Sequence, residues 1–419
     1  MRNDHLGGTV VTGATGFVGG ELVVKLLAQP DRHLFCPVRA ESDAAADERG
    51  RNRLAELLGA TTATAMGNRV TWFRADIVEP RLGLGPMQWH DLATRTTEIF
   101  HCAASVSFDL PLDEAERINV DGTKHIFELA TAAADRHERF RRFHHVSTAY
   151  VAGITEGRVG PNYLPTDRSR NFRNTYERTK ARAERYLRSN ASVRVPVSIH
   201  RPSIIAGHCD TGRTTNWNVI YVPMRMAAKG QLPAFPHDGR ELCDTVAVDY
   251  LVDAMVAFAD IDAGPLVSHH LTAGRTAFTI TELIERSIHR AAEHGGYAPS
   301  DTRLLTRKQW RLIEAAVSTG ARLPKSVGKV RSVARIARRG IESCKVYAPY
   351  TWVNVMFDDA DDAEVLRDLG IEMPAGPRYL ETLLDYALQT RFGREQAEPL
   401  PLLVTDPIAV GAAVDSAAA

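Results

Sequence analysis

Five cysteines are too few and too scattered to staple a chain of 419 residues. Cys36, Cys102, Cys209, Cys243 and Cys344 are odd in number and never form a C-x-x-C pair. Neither a disulfide framework nor a thiolate zinc site is expected, and they read as small core residues of a reducing compartment. An excess of one charge is missing too. The 51 Lys+Arg and 51 Asp+Glu balance, so net charge argues neither for nor against a polyanion partner, any charge effect must be local, and no nucleic-acid partner is expected. No apolar run reaches the roughly 20 residues of a membrane span. Met1 to Gly7 leads straight into a strand pattern, too short for a secretory leader, and the expected location is cytoplasmic. There is no internal repeat. What remains is 44% hydrophobic and 24% charged, an ordinary globular composition with enough apolar residues for a sizeable core.

Against that plain background one stretch stands out, Thr9-Val-Val-Thr-Gly-Ala-Thr-Gly-Phe-Val-Gly-Gly20. The β-branched run predicts a buried strand that stops at Gly13. A helix-period run (Phe17, Val18, Leu22, Val23, Leu26, Leu27) follows Gly16. Strand, glycine turn and helix in that order gather backbone N–H groups and a positive helix end around one point, an anion site suited to a pyrophosphate. Gly13 allows the turn, Gly16 lets the backbone approach the phosphates, and Gly19 lets the helix lie close. The G-x-x-G-x-x-G spacing is one residue longer at its first gap than the usual dinucleotide fingerprint.

Strand and helix patterns then alternate. Strands are predicted at 33–38, 69–74, 97–102, 140–146 and 195–200. Helices are predicted at about 42–58, 112–134 and 174–189. Short connections between them imply parallel βαβ units with right-handed crossovers. The expected fold is an α/β doubly wound parallel sheet of the Rossmann type. Ligands bind such sheets beyond the carboxyl ends of the strands, so Gly13 to Gly19, Arg39, Asp76, Ala103-Ala104, Thr148 and Arg201-Pro202 form one expected rim. From 206 to 244 the pattern turns irregular and rich in Gly, Pro and aromatic residues. Strand-then-helix resumes at 244–258, with a short strand at 269–272 and a helix at about 279–294. The expected division is a dinucleotide-binding domain at 1–275, holding an insertion at about 206–244, a mainly helical substrate domain at 276–395, and a flexible tail at 396–419.

Tyr176-Glu-Arg-Thr-Lys180 places a phenol and an ammonium four residues apart on one helix face. A tyrosine with a pKa near 10 needs help to exchange its proton at neutral pH. A lysine about 4 Å away would favour the phenolate by about 4 kcal/mol at an effective dielectric of about 20. Adjacent histidines at 144–145 and 269–270 lie on strands and point to opposite faces, so neither pair can chelate one ion and no metal is expected.

These residues together resemble an extended short-chain dehydrogenase/reductase. Thr12-Gly-Ala-Thr-Gly-Phe-Val-Gly19, Asp76, Asn119, Ser147-Thr148, Tyr176-x-x-x-Lys180 and Arg201-Pro202 follow that family's order and spacing. Phe100-His-Cys-Ala-Ala104 with Val106-Ser-Phe-Asp109, Asn119 to Lys124, His145 to Gly153 and His200-Arg-Pro-Ser-Ile204 resemble its fatty acyl-CoA reductase and thioester reductase branch. Tyr350, Phe357-Asp-Asp and Leu366 are similar to the carboxy-terminal domain of that branch.

The resemblance implies that Tyr176 donates a proton to the carbonyl oxygen. Lys180 would lower the tyrosine's pKa and hold the nicotinamide ribose, Thr148 would bond the same oxygen with Ser147 as its substitute, and Asn119 would support a proton relay through water. It places the dinucleotide against Thr12, Gly13, Thr15, Gly16, Phe17, Val18, Gly19, Asp76-Ile77, Ala103, Ala104, Tyr176, Lys180 and Arg201-Pro202-Ser203-Ile204. An NAD site usually carries a carboxylate after the second strand; here Pro37-Val38-Arg39 stands there. A guanidinium pairs well with a 2′-phosphate, so NADPH is the expected cofactor. Arg53 is implied as a second contact and Asp76 as a partner of the adenine edge, a loop cap being its alternative.

The expected reaction is NADPH-dependent reduction of an acyl thioester, on coenzyme A or an acyl-carrier protein, to an aldehyde; a second hydride would carry it to the alcohol. A secondary-alcohol or hydroxysteroid dehydrogenase would use the same catalytic residues without a leaving group. A cofactor-binding scaffold or redox sensor would need the glycine turn alone. Between Lys325 and Gly340 stand Lys325, Lys329, Arg331, Arg335, Arg338 and Arg339 with no acidic residue. Three readings compete there: a solvated helix, a contact to coenzyme A or an acidic carrier, and peripheral attachment to an anionic membrane.

Overall fold

Seven parallel strands form the spine of the computed structural model. They are β1 (Gly8–Thr12), β2 (Leu34–Val38), β3 (Val70–Arg74), β4 (Thr96–His101), β5 (Arg142–Val146), β6 (Val197–Pro202) and β7 (Leu266–Leu271). Their order across the sheet is β3-β2-β1-β4-β5-β6-β7. The order reverses between β1 and β4, which opens a crevice at their carboxyl ends. The structure describes residues 7–136, 140–231, 234–236, 241–261, 263–294, 303–320, 350 and 354–395. The basic segment 325–340 and the tail 396–419 lie outside them.

Strand alternation splits the core in two. Val11 joins one apolar cluster and Val10 the other, because successive side chains leave a strand on opposite faces. The first cluster runs from Leu22 and Leu26 of helix α1 (Phe17–Leu27) and Leu54 and Leu57 of α2 (Asp43–Leu58) to Tyr379, Leu380 and Leu384. These last three lie in the helix Gly376–Gln389, so packing is continuous across residue 275. The second cluster holds Ile126, Leu129 and Ala130 of α3 (Gly122–Ala134) against Ile99, Phe143 and Ile199. Each such leucine or isoleucine, fully buried, contributes roughly 1.5–3 kcal/mol.

The structure moves three expected boundaries. The helix read as continuous over 112–134 contains a π turn at Arg117–Asp121, a widening that often marks a functional position. The strand expected over 244–249 is only Thr245–Ala247 and pairs with Ile204–Ala206. β6 ends at Pro202 and not at His200. Arg201 and Pro202 therefore sit inside the sheet, off the rim. Among the described residues no helix is long and apolar enough to cross a membrane.

Histidines fill both faces at the sheet centre. His144, His200 and His269 stack on one side, with ring centroids 5.4 and 5.5 Å apart; His101 and His145 lie on the other, 5.4 Å apart. Burial, with the charge of Lys180 behind it, holds His101 down to about 3. Burial and the charge of Arg201 hold His270 at about 4. Both folded values lie below the ordinary 6.5, so the unfolded chain binds the extra protons first. The stabilising contribution is whole above about pH 6.5 and is lost as pH falls towards 4 and then 3. Denaturant midpoints measured across that range are expected to drop steadily on acidification, and His101→Asn is expected to flatten the slope.

Candidate active site

The crevice at the reversal point is shaped by three glycines. Gly13 has φ +69°, and a Cβ there would lie 2.8 Å from the Ala103 nitrogen, so only glycine lets β1 and β4 close up at this level. The Gly16 N–H donates to the Gly13 carbonyl at 2.8 Å. A Cβ on Gly19 would lie 2.2 Å from that same carbonyl oxygen, which sets how near α1 can stand. Gly16 caps α1 in extended conformation without any side-chain bond, leaving the first N–H groups of the helix for a ligand.

A cavity of 1140 Å³ begins at this turn and is lined by Thr12, Gly13, Thr15, Gly16, Phe17, Val18 and Gly19. Arg39, Arg53, Asp76, Ile77, Ala103 and Ala104 line it as well. Arg39 is exposed and makes no ion pair among the described residues. Arg53 reaches in from α2, almost buried, with Nη2 on the Gly16 carbonyl at 3.3 Å and on Thr215 at 3.1 Å. Its Nη1 meets Glu56 at 2.8 Å, while its buried Nε has no partner. Asp76 caps its own turn, Oδ1 accepting from the Val78 N–H at 3.2 Å, and still faces the cavity. A glycine cradle that no Cβ could share, a bare helix end and an under-used guanidinium fit a nicotinamide dinucleotide.

The other end of the cavity holds Tyr176 and Thr148. Asn174 starts the helix α4 (Thr175–Asn190) by accepting from the Glu177 N–H at 2.9 Å, which fixes Tyr176 in the first turn. The tyrosine and Thr148 both line the cavity, and the Thr148 hydroxyl donates to the Pro202 carbonyl at 3.3 Å and accepts from the Tyr150 N–H at 3.3 Å. Burial pushes the Tyr176 phenol up to about 12, with the Thr148 hydroxyl opposing.

Lys180 is not placed as expected. Its Nζ donates to the Val146 carbonyl at 2.7 Å and meets His145 Nε2 at 3.1 Å, with the residue 2% exposed. Nζ is thus turned to the end of β5, and Lys180 does not line the cavity into which Tyr176 opens. Burial lowers the lysine itself to about 8, with Glu184 opposing.

Other expected members are committed elsewhere. Asn119, turned inward by the π turn, accepts from Ser105 N at 2.8 Å and donates to Ser105 O at 3.1 Å and Thr179 at 3.0 Å, so its amide clamps a loop to α4 and spends both of its donors there. Ser147 donates to Glu184 at 2.5 Å, buried behind the strand end. Arg201, wholly buried, forms a two-pronged pair with Glu184 at 2.5 and 3.0 Å. The dinucleotide contact expected of Arg201 and Pro202 is corrected, since neither lines the cavity, whereas Ser203 and Ile204 do.

Sequence reading missed the outer wall. Phe108 lies 5.7 Å from Tyr176 and 5.3 Å from Tyr350, ring to ring, and Tyr150 meets Tyr350 edge-on at 5.2 Å. The Tyr350 hydroxyl donates to Glu177 at 2.8 Å and accepts from Asn174 at 2.8 Å. Asn216, Asn218 and Val219, from the stretch that read as irregular, complete the lining. Its aromatic content was the available signal.

The family model described as Male sterility protein matches residues 11–255, more than half of the chain and the whole glycine-to-tyrosine span. The chain belongs to this family of extended short-chain dehydrogenase/reductases. This dehydrogenase/reductase is 33% identical over 218 residues to the isonitrile lipopeptide synthase of Streptomyces coeruleorubidus, which is 50% of this chain and 14% of that protein. It spans about a quarter, or less, of the length of the curated relatives it matches. Its fold is shared with the terminal R domain from the myxalamid PKS-NRPS biosynthetic pathway, at TM-score 0.71 and 23% identity over 94% of each chain. It is also shared with a thiolation-reductase di-domain from an archaeal non-ribosomal peptide synthetase, at TM-score 0.66 and 17% identity over 92% of this chain and 76% of that one.

Gly19→Ala tests the cradle. The added methyl must displace α1 from the Gly13 carbonyl, so affinity for a nicotinamide dinucleotide is expected to fall at least about tenfold, the equivalent of about 1.4 kcal/mol, in a fluorescence titration.

Proposed function

We propose that the chain is an NADPH-dependent reductase that releases an acyl group from a carrier-bound thioester as an aldehyde. The observation that carries this reading is the Tyr176–Thr148 hydroxyl pair opening into the same cavity as the glycine cradle. The relatives named above add weight: one is a lipopeptide synthase and one shared fold joins a thiolation unit to a reductase. We take the helices beyond residue 276 as the substrate side.

When bound, the dinucleotide supplies the hydride. The residues of the chain do the rest. Glycine N–H groups and the α1 end would hold the pyrophosphate, with Arg39 and Arg53 about the adenosine end. Thr148 and Tyr176 would hold the thioester carbonyl oxygen and stabilise the negative charge that develops on it. A phenol at about 12 keeps its proton at neutral pH, which is the form that can neutralise the oxyanion of a hemithioacetal. Collapse breaks the carbon–sulfur bond and leaves an aldehyde and a thiol. Phe108, Tyr150 and Tyr350 form an apolar wall beside that carbon, suited to an acyl chain and to keeping water off the intermediate.

Thiol release measured with carrier-bound and coenzyme A thioesters separates the substrate classes. Release matched to NADPH loss, faster on the carrier, is expected; NADPH loss with a ketone and no thiol from any thioester would make the protein a secondary-alcohol dehydrogenase. Tyr176→Phe is expected to lower turnover at least about 100-fold, as for a lost general acid, while NADPH still binds. A protein whose role needed binding alone would be indifferent to that change. For the cofactor, Arg39→Ala is expected to weaken NADPH binding roughly tenfold or more and to leave NADH alone, one charge-assisted bond being worth about 1.5–3 kcal/mol. Equal loss for both would sink the 2′-phosphate contact.

A further inference from the structure

The catalytic lysine is held by a side chain that neither the reaction nor the glycine cradle uses. We propose that His145 is the positioning residue of Lys180, its Nε2 accepting from the lysine ammonium and fixing Nζ against the end of β5. This rests on the reading of Lys180 as a member of the catalytic set.

A buried ammonium with three donors needs acceptors, or it sheds its proton. Lys180 is 2% exposed and finds two, the Val146 carbonyl at 2.7 Å and His145 Nε2 at 3.1 Å. The groups around it offer no better substitute. On its own helix Glu184 is taken up by Arg201 and Ser147. From β4, His101 is bound between Thr12 and Thr123. At the same strand end Cys102 is a thiol that burial pushes up to about 12. Asn119 is spent on Ser105 and Thr179. Tyr176, one turn away, opens into the cavity.

His145 itself is fully buried and kept neutral by burial and by the lysine charge. With Nε2 accepting, its proton sits on Nδ1, an atom with no other partner. The imidazole is therefore a fixed acceptor aimed at Nζ. Its neighbour His144 faces the opposite side, in the stack with His200, so the two histidines have separate duties.

The test reads the lysine directly. In protein carrying 13Cε-lysine, the Lys180 resonance, assigned by its loss in Lys180→Arg, is titrated by NMR. Removing the acceptor with His145→Leu is expected to lower the Lys180 midpoint by about one unit, since a charged form that loses a hydrogen bond is disfavoured. His145→Gln, whose amide oxygen can still accept, is expected to restore most of it. In turnover, His145→Leu should lower kcat about tenfold at neutral pH with KM for the thioester unchanged, and shift the pH profile in step with the NMR midpoint. An unaltered Lys180 midpoint in His145→Leu overturns the proposal. Should that variant not fold, His145→Asn keeps a polar side chain too short to reach Nζ, and an unaltered midpoint there has the same force. The midpoint is measured without substrate, so a wrong substrate assignment cannot mimic either result.

Discussion

One threonine hydroxyl sets the spacing of the whole site. Thr12, fully buried at the end of β1, lies 2.8 Å from His101 Nδ1 and accepts from the Ala103 N–H at 3.1 Å. Thr123 gives its only hydroxyl proton to the Asn119 carbonyl, so the neutral histidine carries its proton on Nε2 and the Thr12 hydroxyl donates to Nδ1. That proton points at Thr123 of α3, 3.1 Å away, whose hydroxyl donates to the Asn119 carbonyl at 2.7 Å. A single chain of bonds thus ties β1, β4 and the π turn together at the place where the strand order reverses. The glycine cradle is tight because these strand ends cannot drift.

The resting charge of the site follows from burial more than from pairing. In water a tyrosine and a lysine differ little, 10.0 against 10.5. Here exclusion of water favours the neutral form of each and drives them apart, to about 12 and about 8. The phenol holds its proton, and the ammonium can give one up near neutrality. The expected lysine-to-tyrosine attraction would have pulled the phenol the other way. Nζ is turned instead towards the strand end.

Features written in neighbouring residues were legible in the sequence. The glycine turn follows from three residues within seven, the strands from runs of β-branched residues, and the Tyr176 helix from its alternation with the strands. Thr148 and Tyr176 were picked out by the resemblance, one at a strand end and one at a helix start, and both line the cavity. What was not readable depends on distant partners. Nothing near Arg201 reveals that Glu184 will neutralise it inside the sheet, and the apolar period of residues 112–134 does not record the widening that turns Asn119 inward. The place of Lys180 depends on His145, on another element. The aromatic wall joins residues 108, 150 and 350, which no window spans.

The bond from Tyr350 to Glu177 closes a loop of 173 residues. Glu177 is wholly buried and shares its carboxylate between Arg173 and that tyrosine. The glycine cradle needs only β4 and the π turn, and its bonds are complete by residue 123. The first turn of the Tyr176 helix stays a knot half tied until Tyr350 arrives. The cradle and the start of that helix thus draw on different lengths of the chain.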